Sequence, residues 1–445
     1  MTVPILFTSQ PDFAARFTSI RERGLAPTAV LESQVRRIVD GVRRRGDAAL
    51  CEYTKRFDGV GLTPDDLRVP DAEIDAAVEQ LSPSTRRALR LAARRIAAFH
   101  RRQRQTSWRY TDSVGIDLGQ TITPLRRVGV YVPGGHAAYP SSVLMNVVPA
   151  RVAGVAEVIM VTPPHREGIN PAVLAAARIA GVSTLYRVGG AQAVAALAYG
   201  TYTMPKVDKI VGPGNAFVQA AKKMVYGAVD IDKIAGPSEV LVIADDSAPA
   251  QYVAADLLAQ AEHGSGEECA VLLTTSKALA GAVQAEIESQ MQDLPRRRDV
   301  AGVLRRRSAL VVVRSLDEAV EIAEQIAPEH LELMVERPRR FLPRLRNAGC
   351  IFVGPWAPAP LGDYVAGPNH VLPTGGSARF FSPLGTYDFV KRTNVVSASR
   401  SGLRRLGPTV VELAQMEGYD AHANAIRCRF ESGGTEKRKR ATGGR

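Results

Sequence analysis

Glu329 and His330 sit side by side in IAPEHLELM (326–334), between a proline and an apolar run. Pro328 suits the first position of a helix, and a glutamate just inside a helix start gains up to about 1 kcal/mol from the dipole. The pair therefore reads as the first turn of a helix. Neighbouring helical residues point in different directions, so two working groups here would address different atoms. An imidazole titrating near its ordinary value of about 6.5 is suited to taking a substrate proton, and a carboxylate beside it to activating water.

Further titratable groups cluster in the second half of the chain. Of seven histidines, His263, His330, His370 and His422 lie there beside acids or amides. In LLAQAEHGSGEE (257–268), Gln260 and His263 are three apart near a predicted helix end and share one side. In LGDYVAGPNH (361–370), Asp363 and His370 bracket a Gly-Pro turn. Glu417 and His422 of EGYDAH are too far apart to share a regular helical face, so an irregular helix start is expected. Imidazole, carboxylate and amide oxygen together form a mixed donor set of the kind zinc accepts. Taken one at a time, each residue reads more simply as a capping or surface group, and His263 suits a helix C-terminus. Spacing alone asserts no metal.

Elements able to hold such groups are visible as alternation. After a helical region (28–106) broken at FDGVGLTPDD, the runs RVGVYV, EVIMVT, TLYRVGG and DKIVGPGN alternate with helical segments. A second series follows, with EVLVIAD, AVLLTT, ALVVVR and IFVGP as its strands. Buried strands closed by Gly or Pro and separated by helices indicate crossovers in parallel sheets. The expected fold is α/β, with two parallel-sheet units of similar plan. No G-x-G-x-x-G follows any strand. Three strand ends instead combine glycines with one polar side chain: Tyr131 in YVPGGH, Gln192 after GGA, and Asn215 in GPGN. Each alone is an ordinary βα turn; together they suggest a ligand crevice at the carboxyl edge of a sheet.

Composition narrows the classes. The 445 residues, 45% hydrophobic and 23% charged, suit a multidomain globular protein. No window reaches the apolar length of a membrane span, and MTVPILFTSQPDF lacks the parts of a signal peptide, so cytoplasm is expected. The four dispersed cysteines read as free thiols. The formal charge of +12 raises a nucleic-acid or scaffold role. Yet the arginines of RRALRLAARRIAAFHRRQR fall on the solvated side of an amphipathic helix, without the aromatic residues a stacking platform needs. The tail ESGGTEKRKRATGGR has nothing to bury and is expected to be disordered.

The motifs taken together resemble the histidinol dehydrogenase family: RVGVYVPGG, YPSSVLMN, VGGAQAVAALAYGT, VDKIVGPGN, AGPSEVLVIAD, DLLAQAEH, IAPEHLEL, GPW, LGDYVAGPNHVLPT and EGYDAH, in that order. The likeness runs from about residue 10 to 430; His136 receives no role. It implies two successive NAD-dependent oxidations of L-histidinol, through L-histidinaldehyde, to L-histidine. By the same resemblance, Gln260, His263, Asp363 and His422 would ligate zinc, with His422 supplied by the partner of a homodimer. Ser238, His370 and Glu417, with the zinc ligands and His330, would hold substrate. NAD would lie against Tyr131, Gln192 and Asn215, loosely enough to be exchanged. His330 would be the general base and Glu329 the activator of water. The resemblance implies two incomplete Rossmann-like units, with an N-terminal helical arm (1–24) and a C-terminal arm (384–430) exchanged in the dimer. Residues 25–126 with 236–383 would form a larger domain carrying most of the site, 127–235 the NAD-binding domain, and 431–445 a basic tail. A related dehydrogenase of another amino alcohol or a sulfo-substrate is the alternative of the same chemistry; both Glu329 and Glu417 argue against it.

Overall fold

The computed structural model describes residues 3–21, 29–134, 138–263 and 266–431. His136 and the basic tail beyond 431 lie outside them. The chain forms two compact units, one of residues 1–104 and 124–389, the other of 105–123 and 390–445. The strands, in chain order, are β1 (Ile5–Phe7), β2 (Trp108–Thr111), β3 (Ile116–Pro124), β4 (Arg127–Tyr131), β5 (Glu157–Thr162), β6 (Thr184–Arg187), β7 (Lys209–Val211), β8 (Asp230–Ile231), β9 (Glu239–Ala244), β10 (Cys269–Thr274), β11 (Ala309–Val312), β12 (His330–Met334), β13 (Cys350–Val353) and β14 (Val390–Ala398).

Both large sheets of the first unit are parallel and share one plan. One runs β6-β5-β4-β7-β8, the other β1-β11-β10-β9-β12-β13. In each, the chain order reverses at a central strand, β4 or β9, and the carboxyl ends of the strands at such a point are the usual place for a ligand crevice. The alternating runs therefore fold as expected, for a simple reason. Val, Ile and Leu occupy both faces of strands covered by helices on each side, so nearly every position is buried. Local punctuation agrees: helix Pro171–Ala180 begins with Asn170 accepting from the Ala172 N–H and ends at Gly181, a left-handed cap.

Helices between 29 and 101 bury their apolar stripes on the five-stranded sheet. Val35, Ile38 and Val42 join one of its faces, and Ile74, Leu89 and Ile96 the other. Fully burying each such side chain contributes roughly 1.5–3 kcal/mol. These helices share their cores with strands β4 to β8 and the helices between them.

Two local expectations are corrected. Ile5–Phe7, expected in a helical arm, pairs with β11 as an edge strand. PEHLE does not start a helix: helix Leu316–Ile326 ends at Ala327 (φ 50°), and strand β12 begins at His330. Met334 packs with one core and Leu331 and Leu333 with the opposite one, a period of two. Strong helix formers in a fully buried strand hid that alternation. Ala327 is the one non-glycine with positive φ among the described residues, so the backbone is strained immediately before the pair of interest.

The second unit contains the three-stranded sheet β14-β3-β2 and helices Arg400–Met416 and Asp420–Glu431. The two helices are interrupted at Glu417–Tyr419, with Gly418 at φ 75°, which is the irregularity expected at EGYDAH. Among the described residues no helix is long and apolar enough to cross a membrane.

At the β4–β7 switch point, Gly212 (φ 113°) passes so close to β4 that a Cβ would lie 2.1 Å from the Tyr131 carbonyl oxygen. Gly212→Ala is expected to lower stability by on the order of 3 kcal/mol. Urea unfolding compared with wild type measures it.

Candidate functional site

The site is built where β9 lies beside β12. In their register His330 pairs with Val240, which brings Glu239 and Glu329, each just before that pairing, together. The Glu239 N–H donates to Glu329 Oε2 (3.0 Å), and the Glu329 N–H donates to Glu239 Oε1 (3.3 Å). Glu239 Oε1 also accepts from the Gly375 N–H (2.9 Å). The Glu239 carbonyl lies 3.1 Å from His330 Nδ1. A carbonyl only accepts, so Nδ1 carries the proton and Nε2 is the nitrogen turned elsewhere. Nε2 lies 3.3 Å from Asp363 Oδ1, and Glu329 Oε2 is 3.7 Å from Nδ1.

Glu329 and His330 are almost fully buried, at 5% and 2% exposure. Burial raises the Glu329 carboxyl to about 7, against the attraction of His330. Burial opposes charge on His330 as well, but Glu329 and Asp363 outweigh it and bring the imidazole to about 9.

His263 and Asp363 face one another and His330, and Gln260 stands three residues before His263. The helix Ala250–Ala261 follows β9 and runs back across the sheet, carrying Gln260 in its last turn. His263 follows in a tight turn, its N–H donating to the Gln260 carbonyl (3.4 Å). Asp363 is on the short helix Ala359–Tyr364 after β13. Burial lowers the His263 pKa and favours its neutral form. Burial resists ionisation of Asp363, but the His330 hydrogen bond and three nearby imidazoles hold its carboxyl below the usual range. The Gln260 amide is buried, and its Nε2 has no partner among the described residues. A neutral imidazole, a carboxylate and an unpaired buried amide, whose oxygen can take the place of the nitrogen by rotation, fit a zinc donor set. Among the described residues no three His, Cys, Asp or Glu side chains form a metal cage by themselves. The fourth expected ligand, His422, and Glu417 belong to the second unit, where both are exposed.

His370 joins this centre to the five-stranded sheet. Its Nδ1 lies 2.9 Å from the Asp363 carbonyl oxygen and its Nε2 3.5 Å from Ser142 Oγ, on the helix that follows β4. Ser238 is half-buried directly before β9, its carbonyl accepting from the Cys269 N–H. The centre thus occupies the amino edge of the six-stranded sheet, where Glu239 and His330 begin their strands.

The three glycine-rich strand ends also come together, at the carboxyl edge of the other sheet. The buried Tyr131 hydroxyl accepts from the Gly190 N–H (3.1 Å), and the nearly inaccessible Gln192 lies in the first turn of helix Gly190–Tyr199. Burial raises the Tyr131 hydroxyl to about 12, so it stays protonated. Asn215 caps helix Ala216–Val225, accepting from the Phe217 and Val218 N–H groups. Sequence reasoning missed the ion pair beneath them. Lys222 Nζ, 2.5 Å from Asp232, donates to the Gly212 carbonyl, while Asp232 accepts from the Gly212 N–H. It also missed Glu239, whose only signal was its place next to Ser238 in AGPSE.

Comparison with known proteins agrees with this arrangement. Residues 22–430 match the family model described as histidinol dehydrogenase. Histidinol dehydrogenase of Syntrophotalea carbinolica is 53% identical over 428 residues, 96% of this chain and 99% of the relative. That of Rhizobium meliloti is 53% identical over 422 residues, 95% of this chain and 96% of the relative. The crystal structure of histidinol dehydrogenase from Elizabethkingia anophelis superposes with a TM-score of 0.91 at 35% identity, covering 97% of this chain and 98% of that one. A two-sheet α/β oxidoreductase is the class so defined. The chain belongs to the histidinol dehydrogenase family.

Removing the Glu239 side chain leaves the buried Glu329 N–H without its acceptor and releases the Gly375 N–H at the surface. Glu239→Ala is expected to cost on the order of 3 kcal/mol of unfolding free energy. Equilibrium denaturation reads the loss, and Glu239→Gln, which keeps an acceptor oxygen, should recover most of it.

Proposed function

We propose that the chain oxidises L-histidinol to L-histidine in two NAD-linked steps through L-histidinaldehyde, closing histidine biosynthesis in the cytoplasm. The observation that carries the reading is His330, with Nδ1 on the Glu239 carbonyl and Nε2 directed toward Asp363, beside His263. Gln260, His263 and Asp363, with His422 from a partner copy, would hold zinc. Zinc, when bound, clamps the substrate's imidazole and amine so that its alcohol carbon is fixed in place. NAD supplies the two-electron acceptor for each oxidation, against the strand ends of Tyr131, Gln192 and Asn215.

In this arrangement Nε2 of His330 donates to the Asp363 carboxylate and the imidazole is held charged. With Asp363 engaged as a ligand instead, Nε2 would lose the neighbour that keeps its proton and would take that of the substrate alcohol as its carbon is oxidised. The aldehyde must then gain water. Glu329 Oε1 has no hydrogen-bond partner among the described residues, and a carboxyl near 7 exchanges protons readily at neutral pH. Glu329 removes the water's proton, and His330 takes the proton of the resulting hydrate in the second oxidation. Ser238, His370 and Glu417 complete the substrate contacts, and burial of the centre keeps bulk water from the aldehyde.

A homodimer is part of the reading. The second unit leaves Val396 and Met416 exposed at 69% and 75%, an apolar surface suited to a second copy. The same unit carries Glu417 and His422, so exchange of the arm 384–430 would complete each site. Residues 127–235 would form the NAD-binding domain and residues 25–126 with 236–383 the larger domain carrying most of the site.

The test is NADH yield. Complete turnover of L-histidinol should release two NADH per substrate and should stop on chelation; one equivalent, or turnover unaffected by chelation, would contradict the reading. His330→Asn should reduce both oxidations by about a hundredfold or more, whereas Glu329→Gln should slow mainly oxidation of the aldehyde. Stopped-flow measurement starting separately from alcohol and aldehyde distinguishes the two.

A further inference from the structure

Glu332 lies two residues beyond His330 on β12, on the same side of the strand, and is 1% exposed. Its Oε1 accepts from the Ala359 N–H (2.8 Å), at the start of the helix that presents Asp363. Its Oε2 is buried and receives no N–H or hydroxyl among the described residues. What faces it is the carboxyl of Asp256, on helix Ala250–Ala261 one turn before Gln260. Two carboxylates cannot remain ionised in such contact without a cation between them. His330, on the same strand, is a further charged group bearing on Glu332.

We propose that Glu332 is a positioning residue for the reaction: it shares one proton with Asp256 and, through the Ala359 N–H, holds β12 and both donor-bearing helices at the spacing His330, Gln260, His263 and Asp363 require. The inference rests on the reading of that donor set given above. It assigns work to a second acid in PEHLE and to the aspartate that opens DLLAQAEH, neither of which had a role in the sequence reading. Burial first, then Asp256, raise the Glu332 carboxyl well above the carboxylate range, in keeping with a retained proton.

The sign of the pH effect follows. A carboxyl whose folded proton affinity is raised stabilises the fold fully below its ordinary value of about 4.3. That contribution is lost as pH rises toward the folded value. Glutamine at 332 keeps the acceptor for Ala359, donates an amide N–H to Asp256 and cannot ionise. Leucine keeps bulk alone.

The experiment compares full-length wild type, Glu332→Gln and Glu332→Leu for zinc retained after dialysis, kcat with L-histidinol, and melting temperature at about pH 5 and about pH 8. Glu332→Leu should lose zinc retention and at least about tenfold in kcat, whereas Glu332→Gln stays within about threefold of wild type. The glutamine variant should gain in melting temperature over wild type at the higher pH but not at the lower. A folded leucine variant with wild-type zinc and kcat would overturn the proposal. So would a glutamine variant as impaired as leucine, or melting curves of wild type and glutamine that move in parallel with pH. If leucine does not fold, the glutamine comparison still decides. Absence of zinc and turnover in wild type would instead defeat the functional reading, while the pH-dependent melting difference would go on testing the carboxyl pair.

Discussion

Parallel pairing of β9 with β12 is the constraint on which the rest of the site depends. It sets Glu239 against Glu329 and His330 in one register, with each glutamate's N–H bound by the other's carboxylate and the imidazole Nδ1 on a main-chain carbonyl. A slip of one residue would turn His330 into the opposite core. Both strands are buried on both faces by Val, Leu and Ile, so hydrophobic packing on each side enforces the register that chemistry needs.

Around that pairing, acids and imidazoles are balanced against burial. Asp363 stays ionised because imidazoles surround it, Glu329 is brought near neutrality by desolvation, and His263 is kept neutral. Three groups of two chemical types thus take different protonation states within one centre. The other sheet uses a different means: a buried lysine–aspartate pair fixes the backbone of the Gly212 turn from beneath. The centre and the helix that follows β4 are joined through His370 and Ser142.

Much of this was legible from residues alone. Strand runs ending in Gly or Pro located both parallel sheets, and a helix does end between Gln260 and His263 as expected. PEHLE was misread because a five-residue strand buried on both faces carries no polar contrast, and Pro328 next to strong helix formers imitates a helix start. Glu239, Asp256 and Glu332 were passed over for another reason. Their partners are 27 to 136 residues away, so their value exists only once the sheet has formed. The assignment of helices 29–101 to a core was likewise invisible, since an amphipathic stripe says that a face is buried but not against which sheet.

The central claim is that the β9 main chain holds the proton on His330 Nδ1 and leaves Nε2 to do the work. Nitrogen-15 chemical shifts of His330 in zinc-loaded wild type, recorded with substrate bound, measure the tautomer directly. The account predicts a protonated Nδ1 and an Nε2 that alternates between bare and protonated with turnover state. A resting imidazole protonated at Nε2, with Nδ1 bare, would contradict it.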